Sequence, residues 1–255
     1  PLVSLLWETL SNGLPGFNGQ FFTWSMRNVI GEGGGAVHAI YGTLMITGVA
    51  TLISVPVGLL TAIYLSEYGR GHLARGITFF VDVMTGIPSI VAGLFIYAVF
   101  ITTFGFTRAG IFVCLALTLL MIPVVVRSTE EMLKLVPNEL REASLALGVP
   151  RATTIIKVVL RTAASGIVTA VVLAVARVVG ETAPIFIAAS FTDNFNADPF
   201  NGPMQTLPVM AYTAYSFPGQ DIDASQAQAW GAALLLVILV VIFNLIARIV
   251  AKVFA

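Results

Sequence analysis

Long apolar stretches alternate with short charged segments along this chain. Apolar residues dominate five stretches, at 39–66, 77–104, 111–126, 162–190 and 229–250. Crossing a hydrocarbon core of about 30 Å takes roughly 20 helical residues. Each stretch contains proline or glycine, which membrane helices tolerate because neighbouring helices satisfy the freed backbone groups. The pattern therefore predicts an all-α, polytopic membrane helical bundle.

The beginning of the chain predicts a further, incomplete span. Residues 2–10 are mostly apolar, but a charged n-region and a small-residue cleavage site are missing, so a signal peptide is not indicated. We expect 1–37 to hold the end of a truncated first span and an external segment. Residues 38–255 then form the transmembrane domain, and the intact protein has six spans.

The distribution of charge predicts the orientation. Basic residues concentrate after the first and third stretches and at the C-terminus. Cytoplasmic loops of membrane proteins carry such an excess, so the loop 127–161 is predicted to be cytoplasmic. The loop 191–228 has four aspartates and no Lys or Arg, which predicts an external position. The basic residues that set this orientation are Arg70, Arg75, Arg127, Lys134, Arg141, Arg151, Lys157, Arg161, Arg248 and Lys252.

Composition excludes several classes of protein. The chain is 57% hydrophobic and 10% charged, whereas soluble domains carry about a quarter charged residues. A soluble enzyme, a disordered chain and a nucleic-acid binder are thereby excluded. The single cysteine, Cys114, and two distant histidines predict no metal site, and no catalytic residue is expected. The pattern Gly-x-x-x-x-Gly-Lys-[Ser/Thr] is absent from the sequence, so we expect the chain to bind no ATP or other cofactor itself.

The cytoplasmic loop contains a predicted short helix. Asn138 is a competent N-cap, Glu139 complements the helix dipole, Gly148 suits the left-handed C′ position and Pro150 stops continuation. One face is apolar and small, which suits a groove on another protein. A helix resting on lipid would also be amphipathic, but lipid contact favours bulkier side chains. That face carries Leu140, Ala143, Ser144 and Leu147.

This loop resembles a known motif. Glu142-Ala143-Ser144, then Gly148 after three residues, then Val158-Val159-Leu160 after nine, resembles the EAA loop of MetI-like ABC-importer permeases. The resemblance implies docking on a separate ATPase subunit, which uses ATP and Mg. Arg161 replaces the motif's closing proline, which leaves the start of the next span less rigidly set. The predicted ATPase-coupling residues are Leu140, Glu142, Ala143, Ser144, Leu147 and Gly148.

Two charged residues lie within the fourth apolar stretch. Arg177 is about 22 Å from the cytoplasmic start of a helix rising 1.5 Å per residue, and Glu181 is four residues further on. On one helix face the two side chains would offset a cost of about 3 kcal/mol for an unpaired central Arg. A pair that only fixes helix packing is the alternative, but intramembrane charge usually marks a substrate pathway. The guanidinium fork matches a tetrahedral oxyanion, and Glu181 can accept the proton that phosphate carries and sulfate lacks.

A second resemblance covers the chain from Gly42 onward. The run 177–184 (RVVGETAP), the run 86–94 (GIPSIVAGL) and Thr206-Leu207-Pro208 resemble phosphate-specific transport (Pst) permeases of the PstA type. This implies an importer in the bacterial cytoplasmic membrane and a phosphate path containing Arg177 and Glu181. Thr85 and Ser89 are weaker candidates for the path, since kinking of the helix also explains them.

The same resemblance implies partners. They are a homologous second permease of the PstC type, ATPase subunits of the PstB type, an external phosphate-binding protein of the PstS type and membrane lipid, with no nucleic acid. One alternative is a permease for another oxyanion, such as molybdate, sulfate or phosphonate. Another is a proton-coupled secondary transporter, although such a protein would give the docking loop no purpose.

Overall fold

The computed structural model of the chain describes residues 1–26, 34–189, 191–219 and 221–254. Regular structure in these ranges is entirely helical, which confirms the predicted all-α class. The predicted external segment 1–37 lies partly outside the described residues. The α-helices in these ranges are α1 (Leu2–Gly13), α2 (Gly19–Thr23), α3 (Val37–Ile63), α4 (Gly71–Thr85), α5 (Ser89–Ile96), α6 (Gly110–Lys134), α7 (Asn138–Ala146), α8 (Arg151–Thr154), α9 (Leu160–Val179), α10 (Ala183–Ala189), α11 (Leu207–Ser216) and α12 (Ile222–Phe254).

Within the described residues, four continuous helical segments are long and apolar enough to cross a membrane. Each exceeds the roughly 20 residues that a bilayer core requires. They overlap the first, third, fourth and fifth apolar stretches of the sequence, and Pro56 and Pro123 are accommodated inside them without a break. The segments are Val37–Tyr68, Gly110–Lys134, Arg151–Val179 and Ile222–Lys252.

The predicted span at 77–104 is broken into two helices. Two helical segments, Gly71–Thr85 and Ser89–Thr103, meet there at an angle of 105°. The backbone explains the bend: Pro88 adopts φ −59° and ψ 140°, and its ring restricts the residue before it to extended conformations. Gly86 therefore ends α4, and a new helix begins after Pro88.

The boundaries of the predicted span at 162–190 are also wrong. The helical segment begins at Arg151 and ends at Val179, and α10 is a separate helix. Pro184 lies in the first turn of α10, where its missing N–H is harmless, whereas within a continuous helix it would have removed a hydrogen bond. Since α6 extends to Lys134, the segment that connects the two spans is shorter than the predicted loop 127–161 and consists of residues 135–150.

Three π-helical turns interrupt or end the long helices. They lie at Tyr64–Tyr68, Tyr97–Thr103 and Ile155–Val159. A π turn hydrogen-bonds to the fifth residue along the chain instead of the fourth, so it holds one extra residue. The first of these turns ends the Val37–Tyr68 segment, and the third joins α8 to α9.

The chain divides into two compact units. The first unit comprises Pro1–Ala50, Pro88–Leu117 and Val178–Val241. Within it, the side chain of His38 in α3 bonds to Gln205 at 3.1 Å, and the backbone N–H of Leu207 donates to Thr43 Oγ1 at 2.9 Å. These bonds join α11 and the segment before it to α3. A buried core of this unit contains Phe21, Ala36, Ala39, Leu207, Met210 and Ala232.

The second unit comprises Thr51–Ile87, Thr118–Arg177 and Ile242–Ala255. One ion pair links α4 to α6 within it, and two more lie inside α6. Arg127 pairs with Asp82 and, at 2.8 Å, with Glu130, and Lys134 pairs with Glu130 at 2.7 Å. Its buried core contains Ala62, Val81, Val126, Leu133, Val136, Val159, Ala163 and Ile167.

Large apolar side chains are exposed along the spans. Leu52 is 78% exposed, Leu60 67% and Ile249 64%. Soluble monomers rarely expose extensive apolar patches, and such surfaces mark contact with membrane or protein. These exposed faces agree with the membrane position that the sequence predicts.

Candidate functional site

The predicted docking helix is present as α7. It begins at Asn138, and Pro137 rather than Asn138 occupies the N-cap position, so that detail of the prediction is wrong. The Asn138 side chain has another role, because its Oδ1 accepts a hydrogen bond from Arg141 Nη1 at 3.2 Å. Glu139 lies in the first turn, as expected for a residue that complements the helix dipole.

Gly148 ends this helix in the predicted way. Its φ of +77° is left-handed, a region that glycine enters without a steric penalty. The N–H of Gly148 donates to the Leu145 carbonyl at 2.9 Å, and the N–H of Val149 donates to the Ser144 carbonyl at 3.2 Å. These two bonds form a Schellman motif, which satisfies carbonyls that the helix end would leave unpaired.

Most of the predicted coupling residues are exposed, and Ser144 is not. Leu140 is 41% exposed and Leu147 84%, and Glu142, Ala143 and Gly148 are also exposed. Ser144 is buried, and its hydroxyl lies 2.9 Å from the hydroxyl of Thr154. The placement of Ser144 on the outward face is therefore wrong: a small hydroxyl at this position bonds to α8 of the same chain.

Sequence reasoning missed the residue that holds α7 in place. Arg141 donates to Glu67 Oε1 from Nε at 3.2 Å and from Nη2 at 3.0 Å. It also donates to the carbonyls of Val136 at 2.6 Å and Leu133 at 2.9 Å. Glu67 lies 74 residues earlier in the chain, so no local pattern connects the two charges.

The helical pairing predicted for Arg177 and Glu181 is wrong. Arg177 lies in the last turn of α9, but that helix ends at Val179, so Glu181 is not on the same helix face. The backbone N–H of Glu181 donates to the Val178 carbonyl at 3.1 Å, in the turn that precedes α10. Each side chain must therefore be considered on its own element.

Arg177 lines a cavity of the second unit. The cavity measures about 740 Å³ and extends along α9, from Ser165 to Arg177. Arg177 itself is exposed, and the described residues of its unit offer it no hydrogen bond or ion pair. Lys252 contributes a second cation to the cavity and Glu131 an acid. Small and hydroxyl-bearing residues line much of the remainder, namely Ser128, Ser165, Gly166, Thr169, Ala170 and Ala174.

Thr85 and Ser89 lie on either side of the sharp bend. Thr85 is the last residue of α4, in the second unit, and its hydroxyl donates to the Val81 carbonyl at 2.8 Å. Ser89 is the first residue of α5, in the first unit, and is half-buried. An anion needs hydrogen-bond donors, so the hydroxyl of Thr85, whose proton is already used, is the poorer candidate.

Parts of the sequence runs 86–94 and 177–184 pack together inside the first unit. Helix α5 from the run 86–94 packs on α10, which begins within the run 177–184. The contact is so close that a Cβ built on Gly93 would lie 2.7 Å from the Cα of Pro184. The glycine is therefore required by the approach of another backbone, and the two runs form one packed pair of helices.

Comparison with known proteins adds to this geometry. Residues 54–255 match the family described as binding-protein-dependent transport system inner membrane component. The chain is 48% identical over 253 residues to the phosphate transport system permease protein PstA 1 of Mycobacterium tuberculosis (strain CDC 1551 / Oshkosh), covering 98% of this chain and 82% of that protein. The chain belongs to the PstA family of these permeases. It is a membrane transport subunit, not an enzyme, and works with an ATPase and a binding protein.

Other relatives agree with this placement. The chain is 40% identical over 251 residues to phosphate transport system permease protein PstA of Pasteurella multocida (strain Pm70), covering 97% of this chain and 87% of that protein. Among solved structures, the MetNI methionine ABC transporter matches with a TM-score of 0.70 at 22% identity, covering 86% of this chain and 95% of that chain. At that identity the structural match establishes a shared MetI-like permease fold.

Proposed function

We propose that this PstA-family chain is the permease subunit of an ATP-driven importer that carries inorganic phosphate across the bacterial cytoplasmic membrane. The observation that carries the proposal is its 48% identity, over 98% of the chain, to a phosphate permease. The chain provides half of a translocation path and performs no catalysis. Its exposed docking helix and exposed intramembrane arginine are the features that such a role requires.

The proposed partners bind the chain within the membrane and on its external and cytoplasmic sides. A PstC-type permease supplies the second half of the path, and a PstS-type protein delivers phosphate from outside. A PstB-type ATPase binds ATP and Mg, because the sequence of this chain has no phosphate-binding loop. Leu140, Ala143 and Leu147 form an apolar outward face on α7, which suits insertion into a groove on that ATPase.

Arg177 is the proposed phosphate contact of the second unit. Arg177 lies in the last turn of the span Arg151–Val179, and an unpaired arginine within a membrane span costs up to about 3 kcal/mol on insertion scales. A phosphate anion in the adjoining cavity offsets this cost through two parallel, charge-assisted hydrogen bonds. Lys252 and the hydroxyls of Ser128 and Thr169 line the same cavity and supply further donors.

Glu181 and Ser89 are the proposed contacts of the first unit. The carboxylate of Glu181 can accept the proton of a protonated phosphate oxygen, which disfavours sulfate because sulfate has no such proton at neutral pH. The hydroxyl of Ser89 has no hydrogen bond to the described part of its unit, so its proton is available to an anion. Thr85 contributes through the shape of the bend, since its hydroxyl proton bonds to the backbone.

Uptake by the complete importer in vesicles tests the substrate path. We expect Arg177→Ala to lower ATP-driven uptake of radiolabelled phosphate about 10- to 100-fold, as loss of one charged hydrogen-bonding partner predicts. Arg161→Gln is the matched control, because Arg161 is exposed and belongs to neither proposed site. Normal uptake by Arg177→Ala in an intact complex would exclude this role.

The same vesicles distinguish the alternatives. Equal competition by sulfate, molybdate or phosphonate would identify another oxyanion as substrate. Uptake driven by a pH gradient without ATP would identify a proton-coupled transporter. We expect neither, since a docking helix has no use in proton coupling.

Co-purification tests the docking face. We expect Leu147→Asp and Glu142→Lys to reduce recovery of the ATPase with the permease, because both change the exposed side of α7. Leu135→Asp is the control, since Leu135 is 74% exposed but precedes α7. Full recovery of the ATPase with both variants would indicate that α7 rests on lipid and does not dock on the ATPase.

A further inference from the structure

One guanidinium joins three elements of the second unit. Arg141, in α7, donates two hydrogen bonds to Glu67 Oε1, at 3.2 and 3.0 Å. It donates two more to the carbonyls of Leu133 and Val136, at the end of α6 and just beyond it. Carbonyls near a helix end have few intrahelical partners. Arg141 therefore supplies a donor to the Val136 carbonyl and adds a second hydrogen bond to the Leu133 carbonyl, which also accepts from the Val136 N–H at 3.3 Å. The docking helix is thereby tied both to the end of α6 and to the π turn that follows α3.

The other end of this link is equally constrained. The side chain of Glu67 is only 7% exposed, and that of Arg141 is 18% exposed. The backbone carbonyl of Glu67 accepts a hydrogen bond from Arg151 Nη2, and the Arg151 guanidinium lies 5.0 Å from the centre of the Tyr68 ring. Two arginines therefore bind the turn that ends the Val37–Tyr68 span: Arg141, which lies in α7, and Arg151, which follows α7 in the chain.

The two faces of α7 make different contacts. Leu140 and Leu147 are exposed, whereas Arg141 and Ser144 contact the same chain. Separating a buried carboxylate from the ion-pair partner that the described residues give it leaves an uncompensated charge in a medium of low dielectric constant. A force applied to the exposed face of α7 therefore moves the end of the Val37–Tyr68 span more easily than it breaks the link.

We propose that the Arg141–Glu67 pair transmits displacement of α7 to the membrane span Val37–Tyr68. Both are positioning residues: neither lines the cavity proposed for phosphate, and they act by making the docking helix and the span move together. The inference rests on the proposed importer function. It goes beyond that function by naming the two side chains that convert movement of the ATPase into movement of this span.

A double-mutant cycle in the complete importer tests the link. Arg141→Gln, Glu67→Gln and the double variant are reconstituted in vesicles, with Arg161→Gln as the matched control. Three quantities are measured: recovery of the ATPase with the permease, the rate of ATP hydrolysis, and phosphate transported per ATP hydrolysed. A purely structural role would lower recovery and hydrolysis together, whereas transmission is read from the third quantity.

We expect recovery and hydrolysis to stay within about twofold of the parent, and phosphate per ATP to fall about tenfold in each single variant, within the usual range of coupling between sites. The double variant should be no worse than either single variant, because both remove one link. Arg141→Lys should restore part of the ratio, since an ammonium pairs with Glu67 but lacks the fork that reaches two carbonyls as well.

Two outcomes would overturn the proposal. One is an unchanged ratio of phosphate to ATP in both single variants, and the other is failure of the variants to assemble, which would make the pair structural. Failure of the proposed function is distinguishable, because the parent complex itself would then take up no phosphate.

Discussion

The contact between Gly93 and Pro184 allows a quantitative prediction. The Cβ of Gly93→Ala would lie 2.7 Å from the Cα, 3.2 Å from the carbonyl oxygen and 3.4 Å from the carbonyl carbon of Pro184. Carbon atoms in contact prefer separations of about 3.5 Å or more, so the closest approach is about 0.8 Å too short. The neighbour is backbone within a packed helix pair and has no rotamer that relieves the clash.

The expected loss of stability follows from this overlap. Overpacking by one methyl group against an unyielding neighbour costs about 1–3 kcal/mol. For a chain of this size, each kcal/mol lowers the melting temperature by about 2–4 °C, which predicts a decrease of roughly 2–12 °C. The purified permease in detergent is the sample, and thermal unfolding followed by tryptophan fluorescence is the assay.

Gly48→Ala is the matched control. Gly48 lies within α3 of the same unit, and a Cβ built there meets nothing within 4 Å. Alanine is favoured over glycine in a helix by about 1 kcal/mol, so the melting temperature should be unchanged or higher. A Gly93→Ala protein that melts at or above the parent temperature would refute the inference that this glycine is required by close backbone packing.

Three further predictions concern α7, its C-terminal end and the loop that contains Asp198. Gly148→Ala should destabilise α7 by about 1–3 kcal/mol because φ at this position is left-handed, and Gly148→Asn should cost less; hydrogen exchange of α7 measures both. Ser144→Ala removes the hydroxyl that bonds to Thr154 and should lower the free energy of unfolding by about 1 kcal/mol, as measured by thermal unfolding. Recovery of the ATPase should be unchanged, and a lowered recovery would indicate that Ser144 does contact the ATPase. Hydrogen bonds from the Asn201 side chain and the Phe200 N–H hold the pKa of Asp198 below its ordinary value of 3.8, so the loop stabilisation is complete above that value and is lost as pH falls through the lowered pKa. Limited proteolysis across this pH range should detect the loss in the parent and not in Asp198→Asn, and an identical profile in both would contradict the assignment.

Features encoded by neighbouring residues were predictable from the sequence. The end of α7 and its left-handed conformation depend on Gly148 and Pro150, whose conformational preferences act locally. The existence of the four continuous spans follows from length and apolar content, although the boundaries predicted for Arg151–Val179 were wrong. The mistaken N-cap shows the limit of such rules, because Asn138 bonds to Arg141 and Pro137 occupies the cap.

Breaks within apolar stretches and contacts between distant residues were not predictable in the same way. Hydrophobicity continues through Gly86 and Gly180, so an averaged window does not detect a helix end there, although Pro88 and Pro184 are local signs of both. The helical pairing of Arg177 with Glu181 was wrong for this reason. The link between Glu67 and Arg141 depends on tertiary packing across 74 residues, for which one sequence has no signal.

The π turns have a consequence for comparing this chain with its relatives. Each turn at Tyr64–Tyr68, Tyr97–Thr103 and Ile155–Val159 carries one residue more than a regular helix needs. Adding or removing a residue in an α-helix rotates everything beyond it by about 100°. A relative that replaces a π turn with a regular turn therefore has a one-residue gap at that place in the alignment. At Ile155–Val159, where α9 continues beyond the π turn, such a gap preserves the orientation of the faces of α9, and an alignment that moves it elsewhere would rotate those faces.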